Sequence, residues 1–312
     1  MKRVSVLQKR HKGNLPIRVF SKDTLSHFQE LYTGFSDEIK HELSYGGLQP
    51  KVYYDCHKTP IVDRACLMPQ ECPGELGTPN SYLYVKESYC AALWCLCYAV
   101  LTIYKENGTH KPNFQPDVDV FNYGLSLYQH WSPWDKHLLA NPEEFDEAET
   151  QHISAVNGLF LYGIAFVLCH EFTHQQLGHS SEPISTEESI KDEFAADEGA
   201  LKTMRRATEG RGLDEVNSIK LGTLLGSGSI LFPESTWSGG PSHPDTDQRL
   251  TRILENLTDG DEESDLWEFG RILLLLWGLI HNKDFNRPKS NEARRGHFYA
   301  LLDWMKAQQD FM

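Results

Sequence analysis

The chain has 312 residues, of which 40% are hydrophobic and 24% charged, with 14 histidines and a formal net charge of −14. That length suits one large core, or one core with a small appended domain, and the composition is globular rather than disordered. The negative balance argues against a nucleic-acid partner or an anionic membrane surface.

In chain order, the N-terminal tract KRVSVLQKRHK is basic but lacks the apolar h-region of a signal peptide. No export is read from it, and the expected location is the cytoplasm. A short helix is expected at Thr24–Thr33, then a break at Gly46 and Gly47. Short strands are expected at Val52–Asp55, Ile61–Arg64 and Tyr82–Lys86, split by Pro- and Gly-rich turns. Cys56, Cys66 and Cys72 share this stretch with His57, at spacings unlike the tight C-x₂-C of zinc ribbons. The seven cysteines are expected to be reduced thiols.

Ser88–Glu106 reads as an apolar helix, in which Cys90, Cys95 and Cys97 act as small hydrophobes. Residues 107–147 read as loop, with Pro112, Pro116, Pro133 and Pro142. They carry His130, Trp131, Trp134 and His137, which either wall a substrate cleft or, the favoured reading, plug the core. Ile153–Cys169 is almost wholly apolar, with no Pro and no charge, and reads as a buried helix. Tyr89–Tyr104, Ile153–Cys169 and Ile272–Ile280 each fall short of the roughly 20 residues of a membrane span, so no membrane is expected as a partner.

The apolar helix runs into His170-Glu171-Phe172-Thr173-His174, an H-E-x-x-H pentad. On a helix, His170 and His174 project from one face toward a single point, which suits two ligands of one zinc ion. Glu171 beside them is placed to take a proton from water. Gly178 offers the helix a C-terminal stop.

A second helix is expected over Glu187–Glu209, opened by Ser185 and Glu188 in a capping-box pattern. It contains Glu193-Phe194-Ala195-Ala196-Asp197. Catalytic zinc usually takes three protein ligands, and Glu193 is read as the third. Asp197, one turn on, shares its face and could orient a liganding histidine. The small Ala195 and Ala196 would let the two helices approach closely. After the apolar segment Ile219–Phe232, a Gly/Ser/Pro loop leads to His243-Pro244, with Arg249 in the helix expected beyond. His243 could donate to an oxyanion, and Arg249 could pair with a carboxylate of the site. Thr258–Asp265 reads as an acidic linker, followed by helices at Leu266–Ile280 and Asn291–Met312.

The expected fold is α+β but predominantly α, a zincin-like core with a small sheet beside the HExxH helix. Residues 1–80 form a strand and loop region packed on an α-rich core of residues 81–312.

The order HEFTH, EFAAD, HPDTDQR is similar to the gluzincin peptidases, and its H-P-x-x-x-x-R element to the HtpX-type branch. The closer likeness is to the Lit-type phage-exclusion peptidases, over about Ser81–Leu257. This resemblance implies a cytoplasmic endopeptidase with one Zn²⁺ per chain, held by His170, His174 and Glu193, with Glu171 as general base. It further implies that a translation elongation factor is the protein substrate, and that a phage-derived peptide or protein activates cleavage. Two other readings are a non-catalytic interaction or sensor protein on a metallopeptidase scaffold, and a zinc hydrolase of a small amide.

Overall fold

The computed structural model describes residues 51–53, 65–68 and 82–309, apart from 108–114, 129–131, 133, 135–138, 144, 180–184, 234–235, 239, 241–242 and 282–292. The helix expected at Thr24–Thr33, the strand at Ile61–Arg64, Cys56, Cys72, His57, His130, Trp131, His137 and most of the 1–80 region lie outside the described residues, as does the Cys66 side chain.

Three short strands open the described chain: β1 (Lys51–Tyr53), β2 (Ala65–Met68) and β3 (Tyr82–Lys86), in the order β1-β3-β2. β1 runs parallel to β3, and β2 antiparallel. Eight helices follow: α1 (Glu87–Asn107), α2 (Gln115–Ser126), α3 (Thr150–Gln176), α4 (Thr186–Arg206), α5 (Leu213–Gly228), α6 (Thr246–Thr258), α7 (Asp265–Ile280) and α8 (Arg294–Gln309).

The expected α+β class is corrected. From Glu87 to Gln309 the described chain carries helices and no strand, and every side chain described as buried lies at Ser88 or beyond. The core is therefore all-α, and a sheet beside the HExxH helix is not part of it. The reason is that α3 needs no sheet to cover it. Its middle, from Tyr162 to His170, is buried without interruption, and neighbouring helices supply most of that cover.

The tightest of these contacts is with α5. A Cβ added at Gly226 would stand 2.3 Å from the Gly163 carbonyl oxygen, and one at Gly222 would stand 2.8 Å from that of Leu159. The two backbones thus touch, closer than ridge-into-groove packing of larger side chains allows. Thr223 and Ser227 are buried on α5 but return their hydroxyls to Ile219 and Leu224 of their own helix at 2.8 and 2.9 Å, so neither hydroxyl is left unpaired. On the other side α1 packs through Trp94, whose indole N–H donates to Asn157 of α3 at 2.7 Å.

Trp134 is fully buried, edge-on to Trp94 and Tyr123, so it plugs the core and lines no cleft. The stretch expected to be loop contains α2. Pro116 deterred that reading, yet it stands in the first turn of α2, where a missing N–H costs nothing.

The apolar helices also run longer than the sequence suggests. Ser88–Glu106 and Thr150–His174 are long and apolar enough to cross a membrane by length and composition, and more than half of the most apolar part of each is buried inside the protein.

Candidate metal centre

The site is built where α3 ends and α4 passes beneath it. At the end of α3, Gly178 takes a left-handed conformation (φ +68), which an L side chain adopts only with strain. The His179 amide then donates back to the His174 carbonyl at 3.0 Å, closing a Schellman-type cap. α4 begins at Ser185, whose hydroxyl accepts the Glu188 amide at 3.2 Å. Farther along, Gly199 lets α4 ride onto α3: a Cβ there would meet Thr173 Cγ2 at 2.4 Å. Ala196 and Ala200 are fully buried on the same face. This close crossing brings the carboxylates of α4 to the histidines of α3.

His170, His174 and Glu193 meet. His170 Nε2 lies 3.1 Å from His174 Nε2 and 3.4 Å from Glu193 Oε2, and His174 Nε2 lies 3.5 Å from Glu193 Oε1. Together they form a group that could hold a metal ion. Glu193 Oε2 is buried and makes no well-aligned hydrogen bond of its own. A buried carboxylate oxygen in that state is costly unless a cation faces it.

One such cation is a side chain of the protein itself. Asp197, one turn after Glu193, is buried and receives a two-pronged contact from Arg249 of α6, at 2.8 and 2.6 Å. Arg249 Nη1 also stands 3.0 Å from Glu193 Oε2. One guanidinium thus clamps two carboxylates of α4 and fixes their rotamers. Asp197 Oδ1 is 2.9 Å from His170 Nδ1, close but out of line for a straight hydrogen bond.

With Glu171 included, three carboxylates share one permanent positive charge. Burial alone would push the His170 imidazole down, but Asp197 and Glu193 outweigh it and hold its pKa up at about 9. Burial opposes ionisation of Asp197, yet Arg249 and His170 pull it down to about 2. Glu193 is likewise held well below the usual carboxylate range, against burial, by His170, His174 and Arg249. Glu171 moves the other way: burial raises it, and the two histidines only partly offset this.

His243 comes in from the loop before α6. That loop is pinned at both ends: Trp237 stacks on Trp277 with centroids 4.1 Å apart, and the Thr246 amide donates to the Trp237 carbonyl at 2.8 Å. His243 Nε2 lies 3.5 Å from Glu193 Oε1, with 53% of its side chain exposed, so it stands on the solvent side of the cluster.

Two residues that the sequence reading passed over also reach the site. His179 and His174 approach through their Nδ1 atoms at 2.9 Å, and His179 Nε2 lies 3.3 Å from Asp192 Oδ1. The signal was in plain view: a histidine one residue past the capping glycine, and an aspartate directly before Glu193.

No curated protein and no solved structure matches this chain. A protein-family model described as Peptidase U49 matches residues 83–270, from the last strand into α7, and so takes in both histidines, Glu193, His243 and Arg249. That match covers more than half of the chain, and the protein belongs to the Peptidase U49 family.

Proposed function

We propose that this peptidase is a soluble, cytoplasmic, zinc-dependent endopeptidase acting on a protein substrate, with residues 81–312 as its catalytic core. The observation that carries this reading is the convergence of His170, His174 and Glu193 beside Glu171. Two imidazole nitrogens and a carboxylate oxygen are a zinc-type donor set. A tetrahedral ion with bonds of about 2.0–2.1 Å requires donors roughly 3.3 Å apart. The separations of 3.1, 3.4 and 3.5 Å fit that requirement before any side chain moves.

When bound, zinc supplies a Lewis acid that polarises a carbonyl and acidifies water. The protein's own groups supply the rest. Glu171 accepts the proton of the attacking water and returns it to the leaving amine, a double task that its raised pKa suits. His243, on the open side, donates to the developing oxyanion. Asp197 orients His170, and Arg249 holds Asp197 and Glu193 in place. Glu171 argues against a scaffold that only binds, because a binding surface has no use for a proton acceptor beside the cluster.

The likeness of HEFTH, EFAAD and HPDTDQR to the Lit-type peptidases supports a further step. In that reading the substrate is a translation elongation factor, and a phage-derived peptide or protein triggers its cleavage. New protein N-termini in infected cells test it. Cells making the wild type should gain a cleaved elongation factor that cells making Glu171→Gln lack; identical N-terminal profiles would remove the endopeptidase reading.

A further inference from the structure

We propose that His179 and Asp192 form a positioning relay that fixes the tautomer and ring orientation of His174 as a metal ligand. The proposal rests on the metal reading above. His174 turns Nε2 toward His170 and Glu193, and turns Nδ1 toward His179 Nδ1 at 2.9 Å. One of these two Nδ1 atoms must carry the hydrogen. If it belonged to His179, His174 would carry its own on Nε2, inside the donor cluster, where no lone pair would remain for a cation. The lone pair of His179 Nε2 would also face the Asp192 carboxylate, 3.3 Å away. The opposite arrangement satisfies every group. His174 Nδ1–H donates to His179 Nδ1, His179 Nε2–H points to Asp192, and His174 Nε2 is left bare toward the cluster.

Local structure holds this arrangement. The left-handed Gly178 folds His179 back over the last turn of α3, with the two rings at 71° and their centroids 5.0 Å apart. Asp192 precedes Glu193 on α4, so one helical register delivers a ligand and the end of the relay together. The two histidine ligands are thus supported differently. His170 has a carboxylate directly behind it, and His174 reaches one through an intervening imidazole. Groups standing behind metal-bound histidines typically contribute 10–100-fold in affinity.

The test is Zn²⁺ affinity of the purified full chain, measured by competition with a chromogenic chelator. It is paired with thermal unfolding of the metal-free protein. His179→Ala should weaken Zn²⁺ binding about 10–100-fold. His179→Gln, whose amide can accept from His174 and donate to Asp192, should recover most of that loss. Asp192→Ala, at a partly exposed helix position, should weaken binding with little change in metal-free unfolding, and should cost nothing further in the His179→Ala background. Zn²⁺ affinity of His179→Ala and Asp192→Ala within about twofold of wild type, with His174→Ala strongly impaired, overturns the relay and leaves the metal reading intact. A glutamine variant as weak as the alanine one overturns it as well. Full Zn²⁺ retention by His174→Ala, or none in the wild type, overturns the metal reading and the relay with it.

Discussion

Two helices cross α3 at close range, and both crossings depend on glycine. At the α5 crossing Gly226 lies against the backbone of Gly163, and the buried hydroxyls of Thr223 and Ser227 bond within their own helix. At the α4 crossing Gly199 lies over Thr173, and the buried polar groups, Glu193 and Asp197, reach out of their helix to His170, His174 and Arg249. The same device of close approach therefore serves two ends. One crossing buries no charge and exists for packing. The other buries charge, which costs stability unless each group is paired, and it does so to assemble a site.

If that contrast is right, the largest stability effect should come from breaking the charged crossing. Arg249→Ala leaves Asp197 and Glu193 buried without their cation and should cost about 3–5 kcal/mol. Urea unfolding in the presence of a chelator measures this without interference from bound metal. A loss below about 1 kcal/mol, the level of a surface pair, would mean that Arg249 is not the counter-ion of the crossing.

Glu171→Gln should do the reverse and separate chemistry from stability. It should lower peptidase activity at least ~10²-fold while leaving unfolding and metal content unchanged. Activity within a few-fold of wild type would take Glu171 out of the mechanism.

The two glycines sharpen the comparison further. Gly226→Ala drives a methyl into the backbone of α3, which cannot step aside, and overpacking of this kind costs typically 1–3 kcal/mol. Gly199→Ala meets only the Thr173 side chain and should cost less. Adding Thr173→Ala should rescue Gly199→Ala and leave Gly226→Ala unaffected, a difference that a double-mutant cycle reads directly. Equal costs for the two glycine variants would show that the crossings do not differ in rigidity.

The smallest effect is expected at the far end of α3. His152 Nε2 faces Thr102 at 3.0 Å, and Nδ1 faces the Lys105 ammonium at 3.2 Å. Burial, then Lys105, brings its pKa down from 6.5 to about 4. Between those values the unfolded chain holds the extra proton, so stability should rise with pH across this window and fall as pH drops through it. His152→Gln should flatten that part of the stability–pH curve. A variant curve parallel to wild type between pH 4 and 6.5 would show that His152 does not titrate as its surroundings require.

Features resting on neighbours a few residues apart were legible in the sequence. The i, i+4 spacing set His170 and His174 on one face, Ser185 and Gly178 marked the helix ends, and the five-residue element around Glu193 lay on the helix that packs beneath them. The α2 helix was hidden by its proline, although Pro116 falls in the one turn that tolerates it. Trp134 was ambiguous because composition does not say which way an aromatic loop faces. The α+β class was misjudged because the strand-like segments before α1 were expected to form part of the core beside the HExxH helix, whereas the buried side chains all come from the helical part of the chain, where the glycines of α5 let that helix close on α3.

By itself, then, the sequence determined the helix that bears the HExxH pentad, the helix that bears Glu193, and their caps, because a helix is specified by hydrogen bonds and side-chain pairs within about four residues. Only the tertiary structure decided the all-α class, the glycine crossings, the clamp of Arg249 on residues 52 and 56 positions earlier, and the approach of His179 to Asp192. Those depend on which faces of distant helices meet, and that choice is made by packing the whole core at once rather than by any local pattern.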